Sequence, residues 1–196
     1  MSYLKKIEYK IVPSQSFSVI RNCSGCDRKV HFKNTKRFRV NANGNKLDVW
    51  LIYQCENCKH TFNLTIYERQ KPSSVPKEEY KGFLSNDECL AEEFGRNVQL
   101  FKRNKAEIDF EDAEYQFVKL QEETNENHSG QQVNIIINNP YNLKIRPERQ
   151  IAEILGISRS CVKKMMEQGE ITAEVTSSQS VSANVCGLKD NPWSLE

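Results

Sequence analysis

The sequence predicts an α+β protein, with antiparallel strands in its N-terminal third and short helices further along. Three observations support this fold class. Alternating apolar and polar residues in "KRFRVNA" and "KLDVWLIYQ" flank the turn "NANGN", a pattern typical of a β-hairpin. Apolar residues recur at helical spacing after Ser85. The segment "RPERQIAEILGISRSCVKKMMEQGEI" predicts two helices joined by "GIS".

Charge divides the 196 residues into three predicted segments. Residues 1–72 hold 14 Lys and Arg against 5 Asp and Glu, whereas residues 73–132 hold 7 against 14. Residues 133–196 are balanced, with 7 of each. The sequence therefore predicts a basic β domain, an acidic mixed segment and a C-terminal strand with two helices and a tail. A basic end is compatible with nucleic-acid contact, and equally with attraction between the two charged segments.

The first domain is predicted to be a zinc ribbon. "KIEYKIV" is expected to form a strand that closes at Pro13, and Asn43-Gly44 marks the hairpin. "TFNLTIYERQ" predicts a further strand, because its apolar and polar residues alternate. A Cys-x-x-Cys turn precedes the hairpin and a second one follows it, as in a zinc ribbon.

Four of the seven cysteines are the candidate metal ligands: Cys23, Cys26, Cys55 and Cys58. The hairpin between the two pairs is expected to bring them together. Four thiolates complete a tetrahedral structural zinc site, so Zn²⁺ is the predicted cofactor. Iron in the same cage and unmetallated thiols are the alternatives. The other three cysteines, Cys89, Cys161 and Cys186, are expected to be ordinary thiols.

The acidic segment is predicted to begin with a linker and to continue as a helix. "KPSSVPKEEYKG" carries two prolines and two serines, which is typical of a linker. Ser85 and Glu88 have the spacing of a capping box, and apolar residues follow at helical spacing from Leu90 to Phe101. Gly95 is a point where this helix could divide into two. Strands are expected at residues 114–120 and 133–137.

The two C-terminal helices are predicted to carry a basic surface. Ile151 and Leu155 mark the apolar face of the first helix, which should end at Gly156. Ser158 is positioned to cap the second helix, and Gly169 to end it. The alternative is a helical hairpin in an ordinary core, with its basic face in solvent.

This segment resembles the small RNA-binding domain named after bacterial ribosomal protein S-four. The matching residues are Arg146, Arg149, Ser158-Arg159-Ser160, Lys163, Lys164 and Gly169-Glu170-Ile171. It departs from that family at Pro147-Glu148 and lacks the usual Asn-Gly turn after Ile171. It also resembles a helix-turn-helix, although no supporting third helix is predicted after it. The first resemblance implies RNA as the partner, and the second implies duplex DNA.

A third resemblance covers residues from about Tyr9 to Leu120, above all "KRFRVNANGNKLDVWLIYQCENCKHTFNLTIYERQKPSS". This stretch is similar to a bacterial family known only as domain of unknown function 1062. The resemblance implies a bacterial protein in which the cysteine-bearing segment and the acidic segment belong together. It implies no activity.

The predicted function is zinc-stabilised, non-enzymatic nucleic-acid binding, with structured RNA as the target. A DNA-binding regulator is one alternative, and a protein-interaction module with a purely structural zinc site is the other. The predicted nucleic-acid contacts are Lys33, Lys36, Arg37, Arg39, Arg146, Arg149, Arg159, Lys163 and Lys164. Phe38, Trp50 and Tyr53 could stack on bases, but the core is the favoured place for them.

Other classes of protein lack support in the sequence. There is no Gly-rich phosphate loop and no Ser/His/Asp pattern, so neither an enzyme nor a small-molecule substrate is predicted. No apolar run approaches the roughly 20 residues that cross a membrane. The first residues carry no secretory-signal pattern. A cytoplasmic protein without a membrane partner is therefore expected.

Overall fold

A computed structural model describes residues 5–111, 113–124, 132–177 and 179–186, and these residues are mostly β. Strands hold 49% of them and helices hold 26%. The strands are β1 (Lys5–Pro13), β2 (Ser18–Cys23), β3 (Arg28–Asn43), β4 (Lys46–Cys55), β5 (Thr61–Gln70), β6 (Glu107–Asp109), β7 (Tyr115–Thr124), β8 (Gln132–Asn138), β9 (Ile171–Ser177) and β10 (Ser180–Cys186). The α-helices are α1 (Lys77–Ser85), α2 (Glu88–Gly95), α3 (Val98–Arg103), α4 (Pro147–Leu155) and α5 (Arg159–Glu167).

The predicted α+β class is therefore wrong, because two five-stranded sheets dominate the fold. The chain divides into two units. Residues Pro13–Glu114 form one unit, called here the cysteine unit. Residues Met1–Val12 and Tyr115–Glu196 together form the other, called the split unit. These boundaries differ from the sequence-based division at 72/73 and 132/133.

The sheet of the cysteine unit has the order β5-β4-β3-β2-β6, and every neighbouring pair is antiparallel. The strand β4 lies beside the central strand β3, and its buried and half-buried residues alternate from Leu47 to Cys55. Phe38 and Tyr53 lie on the buried face, where Phe83 of α1 and Phe101 of α3 meet them edge-on. We call this helix-covered side of the sheet the inner face.

The cysteine-bearing segment is not a separate zinc ribbon, in contrast to the prediction. The strand β6, which comes from the acidic segment, pairs with β2 and extends the same sheet. The three helices of the acidic segment pack on that sheet as well. Residues 13–72 of the basic segment and residues 73–114 of the acidic segment therefore share one unit, which agrees in part with what the family resemblance implied.

The predicted linker contains a helix instead. The helix α1 starts directly after Pro76 and has Glu78 and Glu79 in its first turn. A proline is tolerated at a helix start, and acidic residues there interact favourably with the free backbone amides. The predicted division at Gly95 is confirmed, since α2 ends there and α3 begins at Val98.

The split unit has the sheet order β7-β1-β8-β10-β9. Its β1 pairs in parallel with β8, while β8, β10 and β9 pair antiparallel in turn. The helices α4 and α5 pack on each other, and α5 packs on β9. The C-terminal part is thus not a helical pair followed by a tail, because β9 and β10 follow the helices and join the sheet.

In the part of the chain that the structure describes, no helix combines the length and the apolar character needed to cross a membrane.

Candidate metal centre and basic surfaces

The Sγ atoms of Cys23, Cys26, Cys55 and Cys58 all lie within 4.8 Å of one another. Those of Cys23 and Cys58 are 3.3 Å apart, and those of Cys26 and Cys55 are 3.8 Å apart. Four sulfurs bound tetrahedrally at about 2.3 Å from one ion would be about 3.8 Å from each other. The predicted convergence is therefore confirmed, and the cluster has the dimensions to hold one metal ion.

Two similar backbone turns present the sulfur atoms. The strand β2 ends at Cys23 and β4 ends at Cys55. Asp27 N–H donates to the Cys23 carbonyl at 2.8 Å, and Lys59 N–H donates to the Cys55 carbonyl at 3.2 Å. Asp27 and Lys59 both have positive φ, 51° and 65°, so the chain reverses just after each pair.

Sheet register brings the two turns together. Strand β3 lies between β2 and β4 and pairs with both, so that Arg28 faces Cys23 and Phe32 faces Cys55. The first turn also approaches the second closely at Gly25. A Cβ atom at Gly25 would lie 2.8 Å from Cys58 Sγ and 2.7 Å from His60 Nδ1, closer than packed atoms approach. Only glycine fits this position without displacing one of them.

The two thiols with the largest pKa shifts move in opposite directions. Burial alone would raise the pKa of Cys55, but the backbone amides of Cys58 and Asn57 stabilise its thiolate and lower the pKa to about 6. Hydrogen bonding to Cys58, together with burial and the other two sulfurs, raises the pKa of Cys26 to about 12. The Cys55 sulfur is thus stabilised as a thiolate, whereas a second thiolate at Cys26 is disfavoured. A bound cation would relieve that opposition.

The other described histidine and cysteine residues lie outside the set of four. His60 Nδ1 is 3.8 Å from Cys58 Sγ, beside the cluster. Cys89 and Cys161 are exposed, and Cys186 is half-buried. None of these three cysteines joins the cluster among the described residues.

Four of the predicted nucleic-acid contacts line one cleft in the split unit. The cleft has a volume of about 530 Å³ and is formed by α4, by α5 and by the residues before each helix. Its lining is Arg146, Glu148, Arg149, Ser158, Arg159, Ser160 and Lys163. We call it the helix cleft. Lys164 is also exposed on α5 but does not line the cleft.

The helix cleft carries an excess of positive charge. Arg149 pairs with Glu153 at 2.8 Å and lies over the ring of Tyr115. Arg146, Arg159 and Lys163 are exposed and form no ion pair with any described residue. Three cations therefore face solvent without a neutralising partner in the described part of the chain.

The predicted contacts on β3 are divided between two environments. Lys36 sits in a β-bulge and pairs with Glu88 at 3.1 Å and with Glu92 at 3.6 Å. The hydrogen bond to Glu88 is the main cause of a raised pKa for Lys36. Lys36 is therefore already neutralised by α2. Arg37 and Arg39 are exposed instead.

Lys33 and Arg37 line a groove of about 750 Å³ together with Lys59. The contacts predicted from the sequence did not include Lys59. Its position in the sequence could have indicated it, because Lys59 directly follows the second cysteine pair, where the chain has to reverse. Ser158 and Ser160 of the helix cleft were noted as part of a joint, but not as contacts. Phe38 and Tyr53 are buried as expected, while Trp50 is only half-buried.

Comparison with known proteins gives one match. A family model described as "Protein of unknown function (DUF1062)" matches residues 40–177, from the end of β3 to the end of β9. Comparisons with curated proteins and with solved structures gave no match. The matched stretch contains Cys55, Cys58 and the whole helix cleft. Because it spans more than half of the chain, this chain belongs to the DUF1062 family of proteins of unknown function.

Proposed function

We propose that this chain is a non-enzymatic RNA-binding protein in which a structural zinc ion fixes the cysteine unit. One observation carries the proposal: Arg146, Arg149, Arg159 and Lys163, selected from the sequence alone, line the same cleft. Clustered cations on a concave surface match the charge of a phosphate backbone. The proposal makes the helix cleft the main contact with RNA.

The donors of the helix cleft suit phosphate groups. Arginine donates two parallel hydrogen bonds to two oxygens of one phosphate, and lysine adds a point charge. Ser158 caps α5, where its Oγ accepts from Cys161 N–H at 3.2 Å and lies 2.9 Å from Ser160 Oγ. Ser158, Arg159 and Ser160 at the start of α5 line the helix cleft, and backbone amides at a helix start attract anions.

The elements around the helix cleft favour RNA over duplex DNA. A helix-turn-helix needs a further helix that supports the recognition helix. Here α5 is followed by the strands β9 and β10. Two short helices followed by strands suit the proposed S-four-type domain better, and we therefore infer an RNA partner.

The donor set of the cluster favours zinc. Four thiolates with tetrahedral spacing are typical of structural zinc sites, and such a site has no open position for a substrate. Cys23, Cys26, Cys55 and Cys58 would hold the ion. It would supply a fixed cross-link between β2 and β4, and its binding free energy would add to the free energy of folding.

Titration of the full-length protein against a structured RNA and a duplex DNA of equal charge, at low and near-physiological salt, tests RNA binding. Affinity for RNA should fall with added salt, at a log–log slope of about −3 for four neutralised phosphates. The double variant Arg159→Glu and Lys163→Glu should reduce the size of that slope by about 2.

The control variant reverses two charges elsewhere. Lys77 on α1 and Lys102 on α3 are exposed and form no ion pair with any described residue. Lys77→Glu with Lys102→Glu changes the net charge equally and should leave the slope nearly unchanged. Equal weakening of RNA binding by both double variants would mean that net charge alone determines the affinity. It would contradict the helix cleft as the RNA contact. A preference for the DNA would support a DNA-binding regulator instead.

A further inference from the structure

The sheet of the cysteine unit has a second face, opposite the inner face, that the helices α1, α2 and α3 leave uncovered. Register places Arg37 opposite Ile52 and Arg39 opposite Trp50. Neighbouring positions along a strand point to opposite sides. Since Phe38 and Leu51 are buried on the inner face, these four residues lie on the other side, which we call the outer face.

A basic groove of about 750 Å³ crosses the outer face. Lys33 and Arg37 of β3 line one part of it, and Lys59 lines the end near the cysteine cluster. The acidic side chain in the lining is Glu56, which pairs with Lys33. Arg39 continues the row of cations along β3, two residues beyond Arg37. The groove is therefore complementary to an extended polyanion.

Trp50 adds an aromatic surface to this row of cations. Its side chain is half-buried and lies beside Arg39 across the strand pair, with Arg37 as the diagonal neighbour. Cross-strand and diagonal neighbours on one face are within reach of long side chains. Trp50 makes no ring contact with any described residue. A tryptophan ring flanked by arginines is a platform on which an unpaired base can stack.

We propose that the outer face binds single-stranded RNA, with a base stacked on Trp50 and the backbone phosphates held by Arg37, Arg39 and Lys59. This inference rests on the proposed RNA function and adds a second contact surface to it. Bases in a duplex are stacked on each other, so only an unpaired nucleotide can occupy the ring. The helix cleft of the split unit would hold structured RNA, and the outer face of the cysteine unit would hold an unpaired segment.

Tryptophan fluorescence tests the outer face directly, because the chain has only two tryptophans, Trp50 and Trp193. The full-length variant Trp193→Phe leaves Trp50 as the sole reporter. A twelve-nucleotide oligouridylate should quench its fluorescence as it binds, whereas a duplex RNA should leave it nearly unchanged. A labelled copy of each RNA reports total binding by anisotropy in the same samples.

Charge reversal then locates the site. In the Trp193→Phe background, Arg37→Glu with Arg39→Glu should weaken the quenching titration at least about tenfold. Both arginines are exposed, so the variant should keep its fold, and circular dichroism checks this. The matched variant Lys77→Glu with Lys102→Glu, on the helix-covered side, should shift the titration less than about twofold. Equal shifts from both variants would overturn the assignment to the outer face.

Three further outcomes distinguish this inference from the proposed function alone and from a different occupant. Binding seen by anisotropy without any quenching of Trp50 would overturn the outer-face site and leave the helix cleft as the contact. No binding of either RNA would overturn the proposed function and this inference together. Quenching by polyglutamate as strong as that by oligouridylate would replace RNA with an acidic protein segment as the occupant.

Discussion

At the scale of single residues, the absence of a side chain at Gly25 allows the two cysteine turns to approach each other closely. A methyl group there would lie 2.8 Å from Cys58 Sγ and 2.7 Å from His60 Nδ1. The His60 ring can rotate away, but a metal-bound sulfur has little freedom to move. Overpacking of this kind typically costs about 1–3 kcal/mol. We therefore expect Gly25→Ala to weaken metal binding about 10- to 100-fold.

Competition with a coloured chelator measures that loss. Ser24→Ala is the matched control, because Ser24 is the exposed neighbour of Gly25 and receives the same new side chain. Its affinity should stay close to that of the unmodified chain. An affinity of Gly25→Ala equal to that of Ser24→Ala would show that the two turns can separate freely, against the packing described here.

Tyr67 is expected to make the cysteine unit less stable as the pH rises into the alkaline range. Burial, followed by the 2.8 Å hydrogen bond that its hydroxyl donates to Glu79, raises the pKa of Tyr67 to about 12. An unfolded tyrosine has a pKa of about 10. Between these values the unfolded chain loses a proton that the folded chain keeps. The contribution is therefore complete below pH 10 and is lost as the pH rises toward 12.

Urea denaturation at several pH values between 8 and roughly 11.5 checks this expectation. Tyr67→Phe should be less stable near pH 8 by about 1 kcal/mol, the usual worth of one hydrogen bond. Its stability should then fall less steeply at higher pH. Tyr80→Phe is the control, because Tyr80 is half-buried and its hydroxyl has no hydrogen bond to a described residue. Parallel pH curves for Tyr67→Phe and the unmodified chain would contradict the argument.

The residues of the cluster could be predicted because their spacing is local information. A Cys-x-x-Cys turn, a hairpin and a second Cys-x-x-Cys turn fix four sulfurs with little help from the rest of the fold. The surroundings of Lys36 and Trp50 depend on more distant features. A bulge in β3 turns Lys36 toward α2, and the side of the sheet that helices cover decides how much of Trp50 is exposed.

At the scale of elements, the buried Phe83 packs α1 against the sheet. It is 1% exposed, and its ring centroid lies 4.9 Å from that of Phe38 and 5.6 Å from that of Phe94. Truncation of a buried phenylalanine typically costs about 3–5 kcal/mol. Phe83→Ala should therefore lower the free energy of unfolding of the cysteine unit by about that amount. Chemical denaturation followed by circular dichroism measures it.

The adjacent residue provides the comparison. Leu84 is 58% exposed, so Leu84→Ala should change stability by no more than about 0.5 kcal/mol. Similar losses from both variants would mean that α1 contributes through its helical backbone and not through the Phe83 contact. Phe83→Leu should recover part of the loss, because it refills part of the space.

Helix ends with strong local signals could be predicted, while elements formed by distant pairing could not. Ser158 caps α5 and Gly156 ends α4 with φ of 65°, both as the sequence indicated. Ser85 does not cap α2, because Asp87 accepts the bond from Leu90 N–H. The strand β10 lies in the predicted tail, because its two serines and its asparagine are typical of loops. Its Val181, Ala183 and Val185 are buried only because β8 and β9 lie on either side.

At the scale of the whole molecule, the cysteine unit interrupts the split unit along the chain. Strand β1 precedes the cysteine unit but pairs with β8, 120 or more residues later. Local patterns predicted both strands, yet no short-range signal could indicate that they are neighbours. The same pairing explains why three consecutive domains were expected from the sequence and two units are observed.

Because of this arrangement, we expect fragments that correspond to the two units to differ in their ability to fold. A fragment of residues 13–114 keeps the four cysteines, the three helices and all the strands of its sheet. A fragment of residues 115–196 loses β1, which lies between β7 and β8 and contributes the fully buried Ile7 and Ile11. We expect fragment 13–114 to unfold cooperatively in urea when supplied with zinc, and fragment 115–196 to lack a cooperative transition.

Metal removal then acts on one unit alone. All four ligands belong to fragment 13–114, so a chelator should unfold it or lower its urea midpoint sharply, because metal binding adds directly to folding free energy. In the full-length chain the same chelator should shift the transition that carries the Trp50 signal. If fragment 115–196 folds cooperatively by itself, β1 is dispensable and the parallel β1–β8 pair is not a structural requirement. If fragment 13–114 is equally stable with and without chelator, the four cysteines do not stabilise the fold through a metal.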